Sequence, residues 1–175
     1  MNNKIIKGKY DLLKCILISF QDFLRASWNA SYIIDNKIHK LKPVDNSYLL
    51  LSLYESMVIS YSRPFLNNKG ITNLPNSFTR ELNKEERKLH NDIITTRNKV
   101  VAHSDDEIIK MKPHFSYLNG VKILIPLSSS FGAYKLEPTK KFLKLAQKQS
   151  DRCSQYREEL ENDLRDIMPV DHIPE

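Results

Sequence analysis

Glycine is scarce in this chain: four of 175 residues, about 2% against a usual ~7%. The four stand apart at Gly8, Gly70, Gly120 and Gly132, which excludes the clustered glycines of a phosphate-cradling loop. Long helices are the architecture that most readily does without glycine. Cysteine is nearly absent too. Cys15 and Cys153 lie far apart with no paired spacing, which excludes a disulfide framework or a redox or zinc motif and fits a reducing, cytoplasmic setting. His39, His114 and His172 are scattered without Asp, Glu or Cys at ligand spacing, so neither a metal nor a cofactor is expected. Long apolar runs are missing as well. The run over residues 15–20 is far too short to span a bilayer, and the Asn- and Lys-rich start is followed by no apolar block. Neither secretion nor membrane insertion is expected. Asn29-Ala30-Ser31 matches a glycosylation acceptor, which would go unused in a cytoplasmic protein.

What is present is ordinary globular composition, with 41% hydrophobic and 27% charged residues, and this excludes a largely disordered or collagenous chain. The length suits one domain over residues 1–175 with a single core. A net charge of +6 is compatible with a polyanionic partner without establishing one.

Periodicity predicts an all-α chain. Leu13, Leu17, Phe20, Leu24, Ser27/Trp28, Ser31, Ile34 and Ile38 recur at helical spacing, predicting a helix over 10–40 that Pro43 ends. A second, heavily buried helix over 46–61 carries Leu49, Leu50, Leu53, Met57 and Val58, with Asp45 as N-cap and Pro64 as terminator. Residues 65–82 read as a loop. Asn83-Lys84-Glu85-Glu86 is a capping-box signal for a third helix to about 102, with Leu89, Ile93, Thr96 and Val100 as its core stripe. The period then changes. Residues 114–118 and 121–127 are β-prone and flank Asn119-Gly120, so a small hairpin is expected before the last helix. That helix runs over 138–168, with Pro138 in its first turn and Phe142, Leu145, Gln149, Cys153, Tyr156, Leu160, Leu164 and Ile167 facing inward. Residues 169–175 read as a flexible tail.

Beside the core stripe of the third helix, displaced by about 70° to 130°, lie His90, Ile94, Arg97 and Val101. Such a mixed stripe either packs on a neighbouring helix of the same chain or forms a two-fold dimer seam with polar function at its edge.

The segment Arg97-Asn98-Lys99-Val100-Val101-Ala102-His103-Ser104-Asp105 resembles the Arg-x(4 to 6)-His motif of the HEPN superfamily, with a polar residue after the arginine. The upstream phrase Tyr61-Ser62-Arg63-Pro64-Phe65 is similar to one shared by a subgroup of small bacterial members. By motif the resemblance covers residues 48–105, and beyond that only the helix pattern agrees. The hairpin departs from the plain helical bundle of that superfamily. The resemblance implies a HEPN-like antiparallel helical bundle and a metal-independent endoribonuclease. It would act as a homodimer in a toxin, stress or phage-defence setting, with an antitoxin or defence-system partner. The alternative is a non-catalytic module that binds a nucleotide or a protein partner.

In the implied reaction, attack by the RNA 2′-hydroxyl, His103 transfers protons and Arg97 stabilises charge on the phosphate. Asn98 orients the phosphate or the His103 ring. On one continuous helix Arg97 and His103 would be about 120° and about 9 Å apart, so convergence needs two subunits or a helix that ends near residue 102. Arg63, His90 and Lys99 are secondary candidates for contact with RNA. Lys140, Lys141, Lys144 and Lys148 make a basic start to the last helix, either a track for RNA or a solvated face.

Overall fold

The computed structural model describes residues 3–40, 43–66, 73–98, 111–118, 120–128, 136–165 and 167. It is predominantly helical. The elements are α1 (Asn3–Asp35), α2 (Pro43–Ser62), a short α3 (Ser77–Arg80), α4 (Lys84–Thr96), strands β1 (Met111–Leu118) and β2 (Val121–Ser128), and α5 (Leu136–Leu164). Among the described residues no helix is long and apolar enough to cross a membrane, and no three His, Cys, Asp or Glu side chains gather as metal ligands would.

The long helices run antiparallel. Lys9 near the start of α1 pairs with Asp163 near the end of α5 at 2.7 Å. Asn29 donates to the Ser56 hydroxyl at 2.8 Å, while Arg63, just past α2, reaches back to Asp22 at 2.9 Å. α1 thus lies between α2 and α5, and its buried face is Cys15, Ile16, Ser19, Phe23, Ala26, Ala30 and Ile33. Of the expected stripe, Ser27 is buried and Leu13 and Phe20 pack at the edge of the core, but the centre of the face is rotated by about one residue, or about 100°. Leu17 and Trp28 face outward, Trp28 with 65% of its surface exposed. The physical reason is side-chain size. Ser19, Ala26 and Ala30 let the neighbouring helices approach closely, and a pattern weighted toward large apolar residues overlooks them.

The helix boundaries also shift. α1 stops at Asp35 and is followed by a left-handed Lys37 (φ 53°), a conformation that breaks a helix. Pro43 opens α2 rather than closing α1, because proline fits the first helical turn, where its missing N–H is no loss. Asp45 therefore lies inside the first turn of α2 and is not its N-cap. The stretch expected as loop begins at the last residue of a 3-10 turn, Arg63–Phe65, and contains all of α3. α5 ends at Leu164, leaving Ile167 beyond it and 40% exposed. The expected tail over 169–175 lies outside the described residues.

Two local signals match their expectation closely. The Asn83 side chain accepts from the Glu86 N–H at 2.9 Å and the Glu86 carboxylate accepts from the Asn83 N–H at 2.9 Å, a complete capping box worth about 1 kcal/mol. β1 and β2 pair antiparallel from Met111↔Ser128 to Leu118↔Val121. At their turn Gly120 has φ +81°, the left-handed region where glycine is at least cost. Asn119 lies outside the described residues.

The core centres on Tyr61. Its ring meets Phe23 at 5.7 Å, Phe65 at 5.5 Å and Phe142 at 5.5 Å between centroids, which joins α1, α2 and α5. α3 is tied to α5 through its own backbone. Arg152 donates to the Ser77 and Phe78 carbonyls at 3.1 and 3.2 Å, Gln149 donates to Phe78 O at 3.0 Å, and Arg152 also pairs with Glu81. The Phe78 carbonyl thereby finds the partners that so short a helix does not supply, while the Ser77 carbonyl also accepts from the Glu81 N–H at 3.1 Å.

Candidate functional site: the end of α4 and the cleft beside it

α4 carries the core stripe inward, with Ile93 buried and Leu89 packed against the same cluster. Its last turn widens into π-helical geometry at Arg97 and Asn98, a distortion common at functional sites. Arg97 is half-buried and Asn98 exposed. The Arg97 guanidinium donates to the Asn98 amide oxygen at 3.2 Å and closes no ion pair among the described residues. Asn98 therefore holds the arginine directly, a contact the sequence spacing did not suggest. Lys99, Val100, Val101 and His103 lie outside the described residues, and with them the meeting of Arg97 and His103.

His90 is 7% exposed, a buried ring rather than a surface histidine. Its Nδ1 lies 3.1 Å from the Tyr61 hydroxyl and its ring packs edge-on against Phe65 at 4.5 Å. Burial, helped by the Arg87 cation, lowers its pKa, so the ring is neutral at pH 7. A folded-state pKa below the unfolded one means that the unfolded chain takes up the proton first as the pH falls. Stability contributed by neutral His90 is complete above about pH 6.5 and lost below it. The urea midpoint is accordingly expected to fall as the pH drops below about 6.5, and His90→Gln to flatten that limb. An unchanged slope in the variant would place the dependence on other groups.

The mixed stripe of α4 turns inward at its His90 end, and Ile94 is half-buried. Of the described part of the stripe, His90 packs within the chain, while Ile94 and Arg97 remain partly exposed. The stripe's neighbour is a cleft of about 260 Å³ between α4 and residues 73–79, lined by Phe65, Leu74, Asn76, Thr79, His90 and Ile94 among others. Sequence reasoning missed Asn76 and Thr79 because it treated their segment as a plain loop. The only available signal was Tyr61-Ser62-Arg63-Pro64-Phe65, which contributes Phe65 to the cleft wall and Tyr61 behind His90.

Arg63 is engaged by Asp22, a side chain only 5% exposed. The pair ties the end of α2 to α1. Burial raises the Asp22 pKa, while Arg63 and then Arg25 oppose the rise. Of the four lysines at the basic start of α5, three lie beside carboxylates of this chain. Lys140 pairs with Glu137 at 2.9 Å, Lys141 lies 3.8 Å from Glu85, and Lys148 holds the capping-box Glu86 at 2.7 Å. For Glu86, burial alone would raise the pKa, but Lys148 and the Asn83 backbone outweigh it and lower it. Four lysines bound to phosphates of single-stranded RNA would steepen the salt dependence by about 3 in log–log slope. The quadruple alanine variant is expected to change it by about 1, and a change near 3 in a filter-binding titration would restore the lysines as a track.

Both cysteines are free and buried. Burial, with the neighbouring Cys15, pushes the Cys153 thiol up to about 12, so it is no nucleophile at neutral pH. Compared with protein-family models, with curated proteins and with solved structures, the chain matches none of them.

Proposed function

We propose that the chain is a metal-independent endoribonuclease of the HEPN kind, acting as a homodimer whose cleft combines Arg97 and His103. The observation that carries this reading is Arg97 itself. It is half-buried at the widened end of α4 and, among the described residues, is held by the Asn98 amide and by no carboxylate, which leaves its planar fork for an external anion. Its contrast with Arg63 and Arg152, each engaged by a carboxylate of this chain, supports an anion-binding role for this arginine. The motif supplies His103, whose imidazole titrates where proton transfer to and from sugar oxygens is useful. The setting implied by the resemblance is toxin, stress or phage defence, with an antitoxin or defence partner.

The test is incubation of the purified protein with a mixed RNA pool in EDTA, beside Arg97→Ala. Cleavage by the wild type that the variant lacks supports the reading. Intact RNA in both would assign the chain to the non-catalytic, nucleotide- or partner-binding class.

A further inference from the structure

We propose that the cleft between α4 and residues 73–79 is a specificity pocket that holds one unstacked nucleobase of the RNA strand whose phosphate lies at Arg97, and so decides where that strand is cut. The inference rests on the ribonuclease reading. At about 260 Å³ the cleft falls just below the ~300–1,000 Å³ of pockets that enclose drug-sized ligands, so it suits a single planar ring system rather than a whole nucleotide. Phe65, Leu74 and Ile94 provide apolar walls of the sort on which an unpaired base stacks. Asn76, Thr79 and His90 provide polar groups for its edge.

His90 is held from behind. Tyr61 is fully buried, and its hydroxyl lies 3.1 Å from His90 Nδ1 and also interacts with the Gln149 side chain. The contact holds the His90 ring in place, and its Nε2, which bonds no described residue, is left to meet the edge of a base, as donor or acceptor according to the tautomer. Across the cleft the Thr79 hydroxyl donates to the Asn76 carbonyl at 3.1 Å, which leaves the Thr79 oxygen free to accept. The wall it stands on is held by the Arg152 and Gln149 bonds to α3. Ile94 is one turn before Arg97, about 4.5 Å along the axis, so a base beside Ile94 and a phosphate at Arg97 belong to the same or adjacent nucleotides.

The experiment follows the histidine ring signals by NMR during titration with a mixed-sequence single-stranded RNA hexamer and, separately, with the four ribonucleoside 5′-monophosphates. The His90 signal is assigned from its loss in His90→Gln. Ile94→Trp fills the cleft from its half-exposed rim, Thr79→Val removes one polar group at constant shape, and a melt of each variant checks folding. We expect the hexamer to shift His90 in the wild type, and Ile94→Trp to weaken this binding at least tenfold. Both variants should lose the base preference seen at the cut sites. Equal binding and unchanged cut sites in both variants would overturn the proposal. RNA that shifts His90 but stays uncut would sink the nuclease reading and leave the pocket standing. RNA that is cut without moving His90 would do the reverse. Monophosphates that bind more tightly than the hexamer would reassign the pocket to free nucleotides and overturn its link to cleavage.

Discussion

Tyr61→Ala is expected to lower stability by about 3–5 kcal/mol, the range for truncating a large buried aromatic, and the melting temperature by roughly 6–20 °C for a chain of this size. The Tyr61 ring is fully buried and touches Phe23, Phe65, His90 and Phe142, so its loss opens a cavity where α1, α2, α4 and α5 meet. Tyr61→Phe keeps the ring and removes the hydroxyl, leaving His90 Nδ1 without its partner. That change is expected to cost about 1–3 kcal/mol. Chemical denaturation of the two variants side by side separates packing from hydrogen bonding. Equal losses would mean that the bond to His90 carries the whole effect.

For activity, Arg97→Ala and His103→Ala are each expected to leave the helical circular dichroism signal unchanged and to remove metal-independent RNA cleavage. Among the described residues Arg97 makes one side-chain bond, to Asn98, so its truncation is expected to disturb little of the fold. Removing a single donor that stabilises developing charge lowers rate by about 10²–10³, and removing a general acid or base by about 10²–10⁴. Product ends provide a second readout, because attack by the RNA's own 2′-hydroxyl leaves a 2′,3′-cyclic phosphate or its hydrolysis product. Cleavage near wild-type speed in His103→Ala would move the chemistry to other residues.

The helical class, the hairpin and the α4 cap were legible because each rests on local chemistry: apolar period, Asn-Gly, and the Asn83 to Glu86 spacing. The inner face of α1 was not, since small residues define it and only their partners on α2 and α5 reveal that they are core. At the site, Arg97 and Asn98 became candidates through the resemblance of their motif, but the burial of His90 was not legible. It depends on Tyr61 and Phe65, which are brought from 29 and 25 positions away in sequence by the fold. The ion pairs that neutralise Lys141 and Lys148 are long-range in the same way, joining α5 to α4. A count of lysines along α5 alone therefore overstates its free positive charge.

Trp28, the chain's one tryptophan, sits on the outer face of α1 and is largely exposed, which makes it an unusual spectroscopic reporter. Its indole already meets water in the native state, so its emission should lie at long wavelength before any denaturant is added and shift little as the core melts. Iodide should quench it in the folded protein nearly as well as in the unfolded one. Whatever comes to rest on that face of α1 would instead move the emission toward the blue, so intrinsic fluorescence here reports contact with the outside rather than the integrity of the interior.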